Sequence, residues 1–188
     1  FPDKWIGTMA YSLRETPPQG VAFRPNMSVT VAPISCCVLH PNNHPGCWRR
    51  QEFARMLEQY RRQTPHVMIY DYNPGMLLGM WVPERDAANF AVNAPIYKKI
   101  GIKGLRAEGR KAFMQTWISY YVRAKLLWDV TTDVAALKKD FYETFFGPEA
   151  GPQVQAWWDA CEAALLSSTA HVHEDWLINH IYTRDFVQ

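Results

Sequence analysis

Four short apolar runs, each followed by turn residues, constrain the fold of this chain more than any other feature of its sequence. They do not alternate cleanly between apolar and polar residues, which is typical of strands buried on both faces, as in a parallel sheet covered by helices. Segments with helical spacing lie between and after these runs, and this order predicts βα units and an α/β fold. The predicted strands are residues 5–12, 27–34, 66–72 and 101–108.

Apolar spacing also predicts helices, which are residues 48–62, 86–100, 111–128, 133–146 and 152–166. Pro95 is expected to kink or interrupt the second, Asp133 to cap the fourth, and Gly147 with Pro148 to stop it. Trp117, Tyr121 and Trp128 fall on one stripe of the third helix and are predicted to lie in the core. Residues 13–25, rich in Pro and Gly, are predicted to form a loop, and residues 171–188 show no clear pattern.

Four strands are half of the eight that a TIM barrel needs, and a half-barrel exposes two unpaired edges. Three arrangements follow: the other half lies upstream, two such chains pair, or the sheet is open. We expect residues 1–130 to form the strand-bearing part and residues 131–188 a C-terminal helical extension packed on it.

Composition excludes some functions and favours others. The formal net charge is +2, from 20 basic and 18 acidic residues, which gives no electrostatic argument for nucleic acid or an anionic membrane. Aromatic residues make up 14% of the chain, which suits sugar rings as well as a core. The chain begins with Phe1 and has no signal peptide, so we expect a processed product or a fragment, with a secreted or periplasmic location favoured. Cys36 or Cys37 bridged to Cys47, or free buried thiols, are both compatible with the spacing.

The carboxyl-terminal ends of parallel strands are where functional groups of βα arrays collect. Two of the predicted ends carry a carboxylate, Asp71 and Glu108, and such a pair is what glycoside hydrolysis requires. The alternative is structural: Asp71 caps a loop, and Glu108 forms a salt bridge with Arg106 or Arg110.

Other candidates are weaker. Cys36, Cys37, His40, His44 and Cys47 have the composition of a metal cluster, but their spacing matches no standard zinc pattern, so a structural loop without metal is favoured. His171, His173 and Glu174 are expected to lie in a solvated tail. No Gly-rich phosphate loop is present, and no cofactor is predicted. Trp81 follows the Asp71 strand in a predicted loop, where it faces either a ligand or the core.

Several stretches together resemble a known family. They are Tyr11 followed by Pro17 and Pro18, the loop from Cys36 to Cys47, IYDYN (69–73), GIKGLRAEG (101–109) and the long run from Tyr120 to Ala150. They are similar to the bacterial family called domain of unknown function 4838, which is related to the α-glucuronidases of glycoside hydrolase family 67. The resemblance covers residues 1–165, and its most specific part follows Tyr120.

The resemblance implies the last four strands of a TIM-type (β/α)8 barrel followed by C-terminal helices. It implies that Asp71 and Glu108 are the carboxylates that activate water, while the general acid comes from an earlier strand outside this chain. We therefore expect a carbohydrate-active, glycoside hydrolase-like protein that binds an oligosaccharide or polysaccharide, with Tyr11, Tyr72, Trp81 and His40 at the sugar. Its partner would be the missing barrel half or another chain covering the sheet edges. The alternative is a non-catalytic carbohydrate-binding protein or a structural subunit of a larger assembly.

Overall fold

The fold is built on a four-stranded, entirely parallel sheet. A computed structural model describes residues 3–75, 83–108, 113–171, 180–181 and 184–187, without the side chains of 113–115 and 186–187. The strands lie in the order of the sequence, β1-β2-β3-β4. They are β1 (Ile6–Tyr11), β2 (Met27–Ala32), β3 (Val67–Asp71) and β4 (Gly104–Ala107). All four predicted strands are confirmed, each within its predicted run, and so is the α/β class.

The two faces of the sheet have different surroundings. On one face, Val29, Val31, Val67 and Ile69 are at most 1% exposed and pack with the helices in the main core. We call this the helix face. Side chains alternate along each strand, so the residues between them occupy the opposite, open face. There Met9 and Met68 are 46% and 37% exposed.

The helices that follow β2, β3 and β4 each bury one apolar stripe against the helix face. They are α1 (Trp48–Gln63), α2 (Asp86–Ile100) and α3 (Phe113–Trp128). Pro95 lies inside α2 without ending it, and α2 ends where Gly101 takes the left-handed conformation, with φ 88°. The predicted bounds of α2 are those observed.

The prediction for the buried stripe of α3 is wrong for Trp128, whereas Tyr121 is partly buried and packs against the main core. Ile118, Val122 and Leu126 are its buried apolar residues, whereas Trp128 is 94% exposed. Apolar residues occur nearly all round this helix, so spacing alone could not choose between adjacent faces.

The C-terminal helix α4 (Val134–Ser167) breaks once, at Gly147, whose φ of 84° and ψ of 165° are not helical. Asp133 caps its start, accepting hydrogen bonds from the amides of Ala135 and Ala136. The helix resumes directly after Gly147 rather than at the predicted residue 152. Pro148 there suits a first helical turn, because the missing N–H has no partner in that turn. A Cβ on Gly151 would lie 2.6 Å from the backbone oxygen of Tyr142, so the two halves of α4 approach closely here.

Candidate functional site

Tyr11, Tyr72 and Glu108 gather at the carboxyl-terminal edge of the sheet, on its open face. Tyr11 ends β1, and the Glu108 amide donates to the Asp71 carbonyl at 2.8 Å, which extends the pairing of β3 with β4 by one step. Burial raises the pKa of Tyr72 to about 12, and the neighbouring Tyr11 and Glu108 act in the same direction. Three of the predicted site residues are therefore neighbours.

An aromatic and a cationic side chain continue this open-face group toward the middle of the sheet. The Tyr70 and Tyr72 rings lie 5.4 Å apart between centroids, in an edge-to-face arrangement. The Arg106 guanidinium lies over the Tyr70 ring at 5.9 Å. Phenol faces, hydroxyls, a carboxylate and a guanidinium together can contact both the apolar faces and the hydroxyls of a sugar.

Asp71 lies on the other face of the sheet. The β3–β4 register pairs Asp71 with Ala107, so Asp71 shares the helix face with Ile69, and Glu108 is one residue beyond on the opposite side. Asp71 Oδ2 accepts a hydrogen bond from Arg123 Nη2 at 2.8 Å, and Asp71 Oδ1 accepts one from the Asn73 amide at 3.1 Å. The predicted carboxylates therefore lie on opposite faces of the sheet, and Asp71 has the loop-capping contact foreseen in the structural alternative.

Arg123 connects Asp71 to a second buried carboxylate, Asp86 of α2. Its Nε donates to Asp86 Oδ2 at 2.6 Å, and its Nη2 also contacts Asp86 Oδ1. The arginine and Asp86 side chains are each only 5% exposed, and the guanidinium lies over the Phe90 ring. Burial raises the pKa of Asp86, and Arg123 opposes that rise. Sequence reasoning missed this ion cluster; its one signal was a charged residue between the apolar Val122 and Leu126.

Glu84 is a further buried carboxylate that sequence reasoning missed. It is 4% exposed, and its Oε2 accepts a hydrogen bond from the Gly75 amide at 2.9 Å. Burial, followed by the nearby charge of Asp86, raises the pKa of Glu84 to about 8. Burial therefore favours the protonated form of Glu84, which lies near Asp86 and Arg123 of the ion cluster.

A second group of chemically versatile side chains lies in the loop between β2 and α1. Cys37, His40 and Cys47 come together with His171, which follows α4, and one ligand atom from each lies within 4.8 Å of the others. Cys37 Sγ and His40 Nδ1 are 3.3 Å apart, and His40 Nε2 is 3.1 Å from the Ser168 carbonyl. All four cysteines are free, buried thiols, in agreement with the second of the two alternatives for their state.

The remaining predicted residues have different positions. His40 is 0% exposed and lies in the cysteine–histidine group, an environment that favours metal binding over sugar contact. Trp81, His173 and Glu174 lie outside the described residues. Among the helices that are described, none is both long enough and apolar enough to cross a bilayer.

The fold and the strand-end group define an α/β protein with a parallel sheet wound in one direction and polar residues at its carboxyl-terminal edge. A family model, Domain of unknown function (DUF4838), matches residues 1–159. The chain belongs to this family, and the predicted membership is confirmed. No curated protein and no solved structure matches the chain.

Proposed function

We propose that this chain is the C-terminal half of a TIM-type barrel that acts on carbohydrate. The sheet order supports the barrel. Each strand adds next to the one before it, and α1, α2 and α3 all pack on the helix face. A (β/α)8 barrel is wound in this way, whereas a doubly wound sheet carries helices on both faces. In a closed barrel the open face of this sheet would line the interior.

The single observation that carries the proposal is the grouping of Tyr11, Tyr72 and Glu108 at the carboxyl-terminal edge of that interior face. Active sites of barrel enzymes lie at this edge. In the proposed reaction Glu108 is the carboxylate that activates water or attacks the anomeric carbon, and the two tyrosines orient the sugar. The general acid comes from an upstream strand of the complete protein.

Asp71 differs from Glu108, because its carboxylate is bound to Arg123 on the helix face. An inverting mechanism requires the carboxyls of the general acid and the base to lie about 6.5–9.5 Å apart, with room for water between them. Here these would be the upstream acid and Glu108. We propose that Glu108 serves at the sugar and that Asp71 supports the ends of β3 and β4 from behind. The resemblance to the α-glucuronidases, which assigns both residues to catalysis, makes this a point to be tested directly.

The test is hydrolysis by the full-length protein of an oligosaccharide panel that includes α-linked glucuronides. We expect Glu108→Gln to lower kcat/KM by at least about 100-fold, as loss of a general base does. Glu58→Gln, an exposed glutamate on α1, is the matched control and should leave kcat/KM unchanged. Asp71→Asn is expected to lower stability more than kcat/KM. Full activity of Glu108→Gln would remove it from catalysis.

A second candidate, non-catalytic carbohydrate binding, is favoured by one observation: only one of the two predicted carboxylates lies on the open face. Calorimetry with the same panel distinguishes the two candidates. Binding that survives Glu108→Gln but is lost in Tyr72→Ala, without turnover of any sugar, would support binding alone.

The proposed partner is the other barrel half, or another chain that covers the edge strands β1 and β4. The mass of the protein in solution tests this partner. A monomer of this chain alone that unfolds cooperatively would argue against the need for one.

A further inference from the structure

The loop between β2 and α1 meets the end of α4 at a group of four side chains with the chemistry of a metal centre. Cys37, His40 and Cys47 come from the loop, and His171 comes from the residues after α4. We propose that these four residues bind one zinc ion in a closed, structural site. This inference is independent of the proposed action on carbohydrate.

The spacing of the four ligand atoms suits tetrahedral zinc. With Zn–S bonds of about 2.3 Å and Zn–N bonds of about 2.0–2.1 Å, the edges of the tetrahedron are roughly 3.3–3.8 Å. Cys37 Sγ and His40 Nδ1, at 3.3 Å, already have this separation. The longest separation allowed by the grouping is 4.8 Å, so a metal ion would draw the ligands together by at most about 1.5 Å.

The hydrogen bonding of His40 prepares it to bind a metal. Its Nε2 faces the Ser168 carbonyl at 3.1 Å, and a carbonyl oxygen can only accept, so Nε2 carries the proton. His40 Nδ1 therefore presents its lone pair, and it points toward Cys37 Sγ. Fixing the tautomer through the second ring nitrogen is the usual arrangement for histidines that ligate metals.

His171 supplies a second observation that points to a ligand. Its Nδ1 is buried and has no hydrogen-bond partner among the residues that the structure describes. A buried polar atom without a partner is costly, and coordination to a metal would remove that cost. A disulfide between Cys37 and Cys47 would leave the convergence of His40 and His171 unexplained.

The surroundings favour a structural site over a catalytic one. Leu39 and Leu165 are each 1% exposed and pack with Cys37 and Cys47, so the group has its own small apolar core. Two thiolates neutralise one Zn²⁺, and two neutral imidazoles complete four coordination, so the site carries no net charge into this apolar setting. With four protein ligands no position is left for water or substrate, which is the mark of structural zinc.

Zinc at this site would join the loop after β2 to the C-terminal end of α4. Arg50 reinforces the loop, because its buried guanidinium donates through Nε to the Cys37 carbonyl. The metal would therefore connect the sheet with the C-terminal helix across a long stretch of chain. Its removal is expected to loosen both segments together.

The experiment is metal analysis of the full-length protein, purified under reducing conditions without a histidine tag. We expect one zinc per chain by inductively coupled plasma mass spectrometry. Replacement by cobalt should give the absorption of a tetrahedral ion with thiolate charge-transfer bands, a readout that needs no variant. Chelation should lower Tm, and added zinc should restore it.

Variants separate ligands from neighbours. Cys47→Ser and His171→Gln should weaken zinc binding by more than about 100-fold, beyond the effect typical of residues outside the ligand shell. Cys36→Ser and His44→Gln are the matched controls. Cys36 is the thiol next to Cys37 in the chain, and the ring centroids of His44 and His40 lie 4.1 Å apart. Both should retain one zinc.

Three results would overturn the proposal. The first is less than a tenth of an equivalent of zinc or cobalt bound by the reduced wild-type protein. The second is zinc retained at full affinity in both Cys47→Ser and His171→Gln. The third is a Cys37–Cys47 disulfide in the reduced preparation, found by peptide mapping, together with loss of cobalt absorption.

Discussion

Replacing Arg123 with methionine tests whether Asp86 depends on this arginine for its charge. Methionine fills much of the same volume but provides no donor, so two carboxylates that now share a guanidinium would remain behind. Asp86 is 5% exposed on its side chain, whereas Asp71 is 14% exposed and keeps its hydrogen bond from the Asn73 amide. We therefore expect Asp86, the more deeply buried of the two, to become protonated.

The magnitude follows from the cost of that proton. Keeping an aspartate with an ordinary pKa of about 3.9 protonated at pH 7 costs about 4 kcal/mol, since each pKa unit is worth about 1.4 kcal/mol. This agrees with the roughly 3–5 kcal/mol found when one partner of a buried ion pair is removed. The cost should shrink by about 3 kcal/mol between pH 7 and pH 5, because the proton is then easier to supply.

The direction of the pH dependence of stability can be measured. In Arg123→Met the folded-state pKa of Asp86 would lie above the unfolded value, so the variant's stability is present at low pH and is lost as pH rises. Urea denaturation of both proteins at pH 5, 6 and 7 measures the difference. Arg55→Met, an exposed arginine on α1, is the control and should change stability by at most about 0.5 kcal/mol. Asp86→Asn in the Arg123→Met background should recover most of the loss. A difference that does not vary with pH would refute the reasoning.

Three further predictions concern single side chains. Burial and Asp86 raise the pKa of Glu84 from 4.5 to about 8, so its contribution to stability should fall as pH rises through that interval. Glu84→Gln should therefore remove a slope of up to about 1.4 kcal/mol per pH unit from the free energy of unfolding measured by urea denaturation. An unchanged slope would contradict this. Leu57→Ala removes a side chain that is 0% exposed and should cost about 2–5 kcal/mol of unfolding free energy, whereas a loss under 1 kcal/mol would mean that the core can collapse into the space. Asp133→Ala should cost about 1 kcal/mol, measured by thermal unfolding, and Asp133→Asn should recover most of it because asparagine also caps helices.

The strands and most helices could be predicted because their signals are local. The buried runs of β2 and β3 consist of apolar and β-branched residues bounded by polar or turn residues, and α2 ends at a glycine that must take positive φ. The buried face of α3 could not be predicted. The sequence of α3 is apolar on more than one side. Which side is buried depends on the residues of α2 and of the sheet that pack against it.

The candidate sites were predicted in part, and the misses depend on contacts between segments that are apart in the chain. Strand register is not written in either strand alone, and a shift of one residue moves a side chain to the other face. Asp71 and Glu108 were both correctly placed at strand ends, yet the pairing of Asp71 with Ala107 separates their side chains. Cys37, His40 and Cys47 were noticed together, but their fourth neighbour, His171, lies far along the chain. Only the packing of α4 brings it there.

The register between β3 and β4 also constrains the chemistry that the proposed half-barrel can supply. One residue of offset puts Glu108 on the open face with Tyr72 and Tyr11, and it puts Asp71 with Arg123 and Asp86 on the helix face. A hydrolase with this geometry would need its second carboxylate from another strand of the barrel. The aspartate at the end of β3, Asp71, is already paired with Arg123. The ion cluster then has a defined role. It joins the end of β3 to α2 and α3 on the helix face, and the backbone bond from Glu108 to Asp71 connects the residue after β4 to that same strand end.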